Sequence, residues 1–180
     1  FRALPPPHLI DLNRIGELAY LGVDDGVLAA GAMTRQRDLE RHADIDGYSL
    51  NGVKIGAGTK IGAHTIISCT SHASLPGKGI SMGKNCGVPE FSYFGAAGGI
   101  EIGDDVIMGQ YVSFHSQNHV FSDPTRKIRD QGVVSVGIRV GSNVWIGAKA
   151  TFLDGSDVGD NSVVAAGAVV AGSFPPSSVI

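Results

Sequence analysis

The sequence has few of the residues that mark several common classes of protein. Its 180 residues include only two cysteines, Cys69 and Cys86, too few for a disulfide framework or a cysteine-based zinc site. We interpret both as small buried residues in a reducing compartment. No apolar run approaches the ~20 residues that a transmembrane helix needs, and the opening segment FRALPPPHL lacks the apolar core of a signal peptide. We therefore expect a cytoplasmic protein without a membrane span.

Charged residues are also scarce. They make up 17% of the chain, and the formal net charge is −3. Because a nucleic-acid partner usually requires a clustered basic face, we expect no such partner. The basic residues of DPTRKIRDQG (123–132) are offset by Asp123 and Asp130 and are not interleaved with aromatic residues. We interpret this segment as a solvated arm that contacts a neighbouring subunit.

Glycine, in contrast, is abundant, at 26 of 180 residues, about twice the usual ~7%. The glycines do not follow a collagen triplet, and apolar residues recur instead with a period of six. From residue 140 the hexads start at six apolar residues: Val140, Ile146, Phe152, Val158, Val164 and Val170. Six residues form one short strand and one tight corner, and three such sides close a triangular coil of roughly 18 residues. The pattern predicts an all-β parallel solenoid, because helices would show apolar spacings of three and four.

The same period occurs upstream in shifted phases. Further apolar hexad starts are Ile102, Met108, Phe114, Ile55, Ile61 and Ile67, and a weaker series comprises Ile15, Leu21, Val27, Met33, Leu39 and Ile45. The phase shifts require inserted residues, for which the candidates are 46–54, 72–100 and 115–137. Residues 24–40 also have a helix-compatible composition, so the N-terminal third forms either early coils, which we favour, or a short helix. We divide the chain into an N-terminal extension, 1–14, and a solenoid domain, 15–180.

Two segments carry a resemblance to a known family. IGDDVIMGQYVSF (102–114) and IRVGSNVWIGAKATFLDGSDVGDNSVVAAGAVVAGSFPP (138–176) resemble the hexapeptide-repeat acyltransferases. The resemblance is strongest to the branch of maltose and galactoside O-acetyltransferases and of acetyltransferases that modify bacterial surface polysaccharides. It implies a left-handed parallel β-helix, a homotrimer, acetyl-CoA as co-substrate, and a sugar hydroxyl as acceptor. The residues themselves give no reason to expect a metal. The left hand comes from the resemblance alone, since parallel crossovers are in general right-handed.

The segment 115–137 interrupts the repeat and is the predicted place of the chemistry. Because the interior of a solenoid is filled and its faces are repetitive, specific chemistry lies on departures from the repeat. Pro124 and Gly132 indicate turns, so we expect an arm extruded from the coil. Acyl transfer to a hydroxyl needs a base, and a histidine with a pKa near ~6.5 is suited to that role. The arm contains two candidates, His115 and His119.

The family pattern places the catalytic histidine at His119. The resemblance implies that His119 is the general base in a direct attack without an acyl-enzyme, and the alternative is an ordinary exposed histidine. It also implies an acetyl-CoA site in which the N–H of Ala148 stabilises the oxyanion, Trp145 lines the pantetheine channel, and Ala166 and Gly167 lie against the pantetheine arm. An outward aromatic at a subunit contact is the alternative for Trp145.

Three polar residues of the interruption are candidates for acceptor binding: His115, Asp123 and Arg126. Asp123 could instead fix the tautomer of His119. The sequence departs from the family pattern at Ala171 and Gly172, where relatives often have a basic residue near the CoA phosphates. The alternative functions are acetyl transfer to an amino sugar, a serine or an antibiotic, and a non-catalytic solenoid scaffold. Two histidines without a third ligand do not indicate a zinc site.

Overall fold

The structure of the chain, a computed structural model, describes residues 21–24, 27–30, 43–46, 51–69 and 77–180. The strands ahead of the regular coils are β1 (Leu21–Asp24), β2 (Val27–Ala30) and β3 (Ala43–Asp46). Coil 1 contains β4 (Val53–Gly56), β5 (Lys60–Ile61) and β6 (Thr65–Ser68). Coil 2 contains β7 (Ile80–Met82), β8 (Gly87–Val88) and β9 (Tyr93–Gly95). Coil 3 contains β10 (Ile100–Ile102), β11 (Ile107–Met108) and β12 (Ser113–His115).

The chain leaves the solenoid after coil 3 and returns to it at coil 4. The excursion contains β13 (Asn118–His119), one turn of 3-10 helix (Ile128–Asp130) and β14 (Val133–Val134). Coil 4 contains β15 (Ile138–Val140), β16 (Trp145–Ile146) and β17 (Thr151–Leu153). Coil 5 contains β18 (Asp157–Val158), β19 (Val163–Val164) and β20 (Val169–Val170), and β21 (Ser173–Phe174) follows it.

The coils stack so that each side of a triangular prism is a parallel sheet. The first sheet contains β4, β7, β10, β15, β18 and β21, the second contains β5, β8, β11, β16 and β19, and the third contains β3, β6, β9, β12, β17 and β20. Stacking pairs Met108 with Ile146 and Phe114 with Phe152. We call the three edges of the prism the first corner (first to second sheet), the second corner (second to third) and the third corner (third to first). This is the predicted left-handed parallel β-helix.

The hexad positions form the core. All six hexad starts from Val140 to Val170 are at most 2% exposed. Along the third sheet the rings of Phe94, Phe114 and Phe152 form a continuous stack, with centroids 4.9 and 4.4 Å apart. Each phenylalanine thus contacts its equivalent in the next coil. The apolar residues that recur every six positions therefore form the interior, as predicted.

Much of one predicted insertion forms a regular coil, over the part of it that the structure describes, 77–100. Residues 72–100 were expected to be an insertion, yet β7, β8 and β9 pair in register with coil 3, and Met82, Val88 and Phe94 are buried. The hexads of this coil are out of phase with those of coil 3, because the corner between Phe94 and Ile102 is longer than a normal hexad corner. Gly99 adopts a φ of +94° there, a conformation that glycine tolerates best.

The N-terminal strands follow the predicted coils only in part. Ile45 of β3 pairs in parallel with Ile67, as a coil strand does. β1 and β2 instead pair antiparallel with each other, and β2 pairs antiparallel with β4, so these two strands are not parallel coil strands. The extension 1–14 and most of the helix-compatible segment 24–40 lie outside the described residues. Within the described ranges, no helix is long and apolar enough to cross a bilayer.

Candidate active site

The predicted arm is present and carries His119 on a two-stranded ribbon. β13 pairs antiparallel with β14, which places Asn118 opposite Val134 and His119 opposite Val133. The ribbon extends from the third corner of the prism, between β12 and β15. The polar interruption in the repeat therefore leaves the solenoid, as the turn residues predicted.

The side chain of His119 is exposed and makes no hydrogen bond, ion pair or ring contact with any residue that the structure describes. Both ring nitrogens are therefore open to a ligand or to solvent. His115 lies at the end of β12 and is also exposed. Its ring is 5.4 Å from the ring of Tyr93, with the planes tilted by 33°, so the two histidines have different surroundings.

The loop at the end of the ribbon is organised by one glutamine. The side-chain amide of Gln131 accepts a hydrogen bond from the N–H of Asp123 at 3.0 Å, and it donates to the carbonyls of Asp123 and Arg126 at 2.9 and 3.0 Å. The Asp123 carboxylate accepts from the hydroxyl and the N–H of Thr125, at 2.7 and 2.9 Å, and these bonds lower its pKa. Asp123 therefore stabilises the turn, and its carboxylate makes no bond to His119.

Arg126 has a similar local partner, because its guanidinium donates to the carbonyl oxygen of Asp130. The two predicted acceptor residues of the loop, Asp123 and Arg126, thus both hold the loop together. Sequence reasoning missed Gln131, because a glutamine in a polar loop has no pattern of its own.

Four predicted cofactor residues lie near each other at the second corner. Ala148 follows β16 in coil 4, and the carbonyl of Ala148 accepts from the N–H of Gly167 in coil 5 at 2.8 Å. The N–H of Ala148 donates to no acceptor within the described chain. Gly167 has a φ of +76°, and a Cβ added to it would contact nothing within 4 Å. Ala166 is exposed beside it.

Trp145 projects from the second sheet close to this corner. Its side chain is 56% exposed, and it lies between Ile107 of coil 3 and Val163 of coil 5 in the sheet register. Ile107 is also 56% exposed. The second corner thus combines an unpaired N–H, small residues and an apolar flank. This combination suits an extended ligand that ends in a carbonyl group.

The histidine and the cofactor residues lie at different corners of one chain. His119 belongs to the arm at the third corner, whereas Ala148 and Gly167 lie at the second corner. No contact joins the two groups within the described residues. A site that uses both groups therefore requires a second chain or a movement of the arm.

The arm itself exposes large apolar side chains. They are Phe121 (74% exposed), Ile128 (55%), Val134 (49%) and Val136 (69%). Several large exposed apolar side chains on one short segment are typical of a surface that contacts another molecule. The arm is therefore suited to contact another surface.

A shallow depression of about 890 Å³ lies along the outer face of the first sheet. Its lining includes Lys54, Lys78 and Arg139, and the Arg139 guanidinium is paired with Asp157 at 2.8 Å. The depression contains none of the predicted site residues. Among the described residues there is no group of three histidines, cysteines or carboxylates that could hold a metal ion.

Comparisons with known proteins agree with the hexapeptide-repeat fold. A family model described as "Bacterial transferase hexapeptide (six repeats)" matches residues 137–172. The chain is 27% identical over 178 residues to a probable acetyltransferase of Mycobacterium tuberculosis, covering 99% of this chain and 56% of that protein. It is 35% identical over 80 residues to galactoside O-acetyltransferase of Escherichia coli, covering 44% and 38%. The chain thus spans about half or less of these curated relatives.

Solved structures show the same fold. The N-acyltransferase AntD of Bacillus cereus superimposes on the chain with a TM-score of 0.60 at 20% identity, covering 89% of this chain and 78% of that one. At this identity the likeness concerns the solenoid alone.

Proposed function

We propose, from this chain's membership in the hexapeptide-repeat family of acyltransferases, that it transfers the acetyl group of acetyl-CoA to a sugar hydroxyl. The observation that carries the proposal is the ribbon, because it presents the imidazole of His119, which has no partner within the described residues, on the segment extruded between coils 3 and 4. The relatives named acetyltransferases support the same reaction class. We further propose that the product belongs to surface-polysaccharide assembly and that the enzyme works in the cytoplasm.

The reaction needs no covalent enzyme intermediate. The acceptor hydroxyl oxygen attacks the thioester carbonyl carbon while His119 takes the hydroxyl proton. The tetrahedral intermediate then breaks its carbon–sulfur bond, and the sulfur leaves with the proton that His119 returns. Holding thioester and hydroxyl together supplies much of the rate gain. The products are the acetyl ester and free CoA.

The second corner suits the acetyl-CoA side of this reaction. In acyl transfer, backbone N–H groups commonly stabilise the developing oxyanion by donating hydrogen bonds to it. The free N–H of Ala148 is the donor that we assign to this role. The small residues Ala166 and Gly167 leave room for the pantetheine arm along the coils, and Trp145 provides an apolar flank. We assign His115, Asp123 and Arg126 to the side of the site that binds the acceptor. Asp123 and Arg126 contribute by stabilising the loop on that side.

A neighbouring chain can bring the two corners together, and we propose a homotrimer with sites between subunits. The arm of one chain would then place His119 against the second corner of its neighbour. The exposed Phe121 and Ile128 on the arm, and Ile107 and Trp145 on the coils, support this arrangement because burying them would stabilise it. The same packing would remove the apolar surface that a lone chain exposes.

Release of CoA thiol from acetyl-CoA with a panel of acceptors tests the proposal. The panel contains sugars, sugar nucleotides, polysaccharide fragments, an amino sugar and serine. Release that depends on a sugar hydroxyl supports the proposal, whereas release that depends on an amine assigns the alternative acceptor class. No release with any acceptor, together with no binding of acetyl-CoA, would contradict a transferase and favour a scaffold.

A further inference from the structure

Both ends of the His119 ribbon are attached to the solenoid by a specific side chain. At the outgoing end, Ser116 is fully buried. Its hydroxyl donates to the carbonyl of Gly95 at 2.7 Å and accepts from the N–H of Gly98 at 2.8 Å. Both partners belong to the previous coil, so this hydroxyl fixes the point at which the chain leaves the third corner.

At the returning end, a carboxylate from the next coil takes the same role. The two oxygens of Asp154 accept from the N–H of Val136 at 2.9 and 3.0 Å, and Oδ1 also accepts from the N–H of Gly137 at 2.8 Å. The carbonyl of Gly137 then accepts from the N–H of Gly155 at 2.7 Å. Gly137 has a φ of +114°, so the chain turns sharply at this attachment.

The distance along the chain from these attachments to the histidine is short. His119 is three residues beyond Ser116, and its ribbon partner Val133 is three residues before Val136. In a two-stranded ribbon, a slip of one residue moves a side chain to the opposite face. The two attachments therefore select the face of the ribbon on which His119 lies.

We propose that Ser116 and Asp154 form a two-point clamp that fixes the register of the ribbon, with Asp154 as a positioning residue for His119. The proposal rests on the function proposed above for His119. Sequence reasoning did not find Asp154, although it lies 18 residues after Val136, one coil length, where stacking brings it beside the returning arm. Within the described chain, Asp154 is the only carboxylate that accepts hydrogen bonds from the returning segment, 133–137.

The test compares Asp154→Ala with Asp154→Asn and with Asp160→Ala. Asp160 makes the same kind of bond one coil apart, because its Oδ1 accepts from the N–H of Ser142 at 2.7 Å. That bond lies at the first corner, which carries no arm, so Asp160→Ala is the matched control. Asp154→Asn retains an oxygen acceptor and serves as the conservative variant.

Two measurements are made on each variant of the whole chain. Hydrogen exchange of residues 116–136 by mass spectrometry should become about 10-fold faster in Asp154→Ala, because lost bonds raise the open population. In the acetyl-transfer assay, kcat of Asp154→Ala should fall about 10- to 100-fold, because a small misplacement of a catalytic group lowers the rate by this order. KM for acetyl-CoA should change less than about 3-fold. Asp154→Asn should recover most of kcat, and Asp160→Ala should change neither measurement.

The result that would overturn the clamp is wild-type exchange of the arm in Asp154→Ala, or an equal fall in kcat in Asp160→Ala. The exchange measurement does not depend on catalysis. If the wild-type protein transferred no acetyl group to any acceptor, the proposed function would fail, and exchange alone would still decide whether Asp154 holds the ribbon.

Discussion

Ala148 and Gly167 are joined across two coils by a single hydrogen bond, in which the carbonyl of Ala148 accepts from the N–H of Gly167 at 2.8 Å. The N–H of Ala148 has no acceptor in the described chain. The corner thus uses the acceptor of this residue for stacking and leaves its donor available. A free backbone N–H is the kind of donor that stabilises the oxyanion in acyl transfer.

Replacing this donor tests its role. Ala148→Pro removes the N–H, and we expect kcat to fall about 100-fold or more, with Kd for acetyl-CoA changed less than about 3-fold. Gln110→Pro is the matched control, because Gln110 occupies the equivalent corner position of coil 3, where its carbonyl accepts from Lys149 at 2.9 Å. Equal losses in both variants, or an unchanged rate in Ala148→Pro at an unchanged melting temperature, would exclude the oxyanion role.

The arm should control assembly. Phe121 is 74% exposed in the single chain, so Phe121→Asp costs little within one subunit but places a charge in the proposed interface. We expect sedimentation to show monomers with an unchanged circular dichroism spectrum and little transfer activity. Lys127→Ala, on the same loop, should remain trimeric. A wild-type chain that sediments as a monomer would argue against a site between subunits.

The sequence predicts the solenoid well because the core repeats. Each hexad start contacts its equivalent in the next coil, so one pattern specifies both the strand and its neighbour, as Phe114 and Phe152 illustrate. The prediction failed at coil 2, where a longer corner after Phe94 shifts the phase. It also failed at β1, where antiparallel pairing replaces the coil. The length of a corner is a local property, and the period of six does not predict it.

The candidate site is less visible in the sequence. The arm was predicted because it interrupts a regular pattern, whereas the choice of His119 within it came from the resemblance to the family. The hydrogen bonds of Gln131 and Asp154 were not predicted, because both depend on which backbone groups the folded arm brings near. Asp123 bonds Thr125 rather than His119 for the same reason. Roles that depend on three-dimensional proximity within a loop have no periodic signal.

The phenylalanine stack should dominate the stability of the central coils. Phe114 is fully buried between Phe94 and Phe152, so Phe114→Ala should lower the free energy of unfolding by about 3–5 kcal/mol. Ile66→Ala, on the outer face of the same sheet and 41% exposed, should cost about 1 kcal/mol or less. Chemical denaturation measures both. Similar losses in the two variants would contradict the assigned inward and outward faces.

The cysteines should be unreactive in the native protein. Burial raises the pKa of the Cys86 thiol, so less of it is thiolate at pH 8 than of an exposed cysteine, and thiolate is the reactive form. Cys69 is also buried. Ellman's reagent should therefore react at least about 10-fold more slowly with the native protein than with the denatured protein. Rapid reaction of the native protein would show that Cys86 is accessible.

The most direct test of the account is the rate of acetyl transfer by His119→Ala with the best acceptor found. Loss of a general base should lower kcat by about 100- to 10,000-fold while acetyl-CoA binds as before. His64→Asn is the control, because His64 is exposed on coil 1 with a φ of +60°, which asparagine tolerates, and it should retain the wild-type rate. Wild-type transfer by His119→Ala would contradict the central claim.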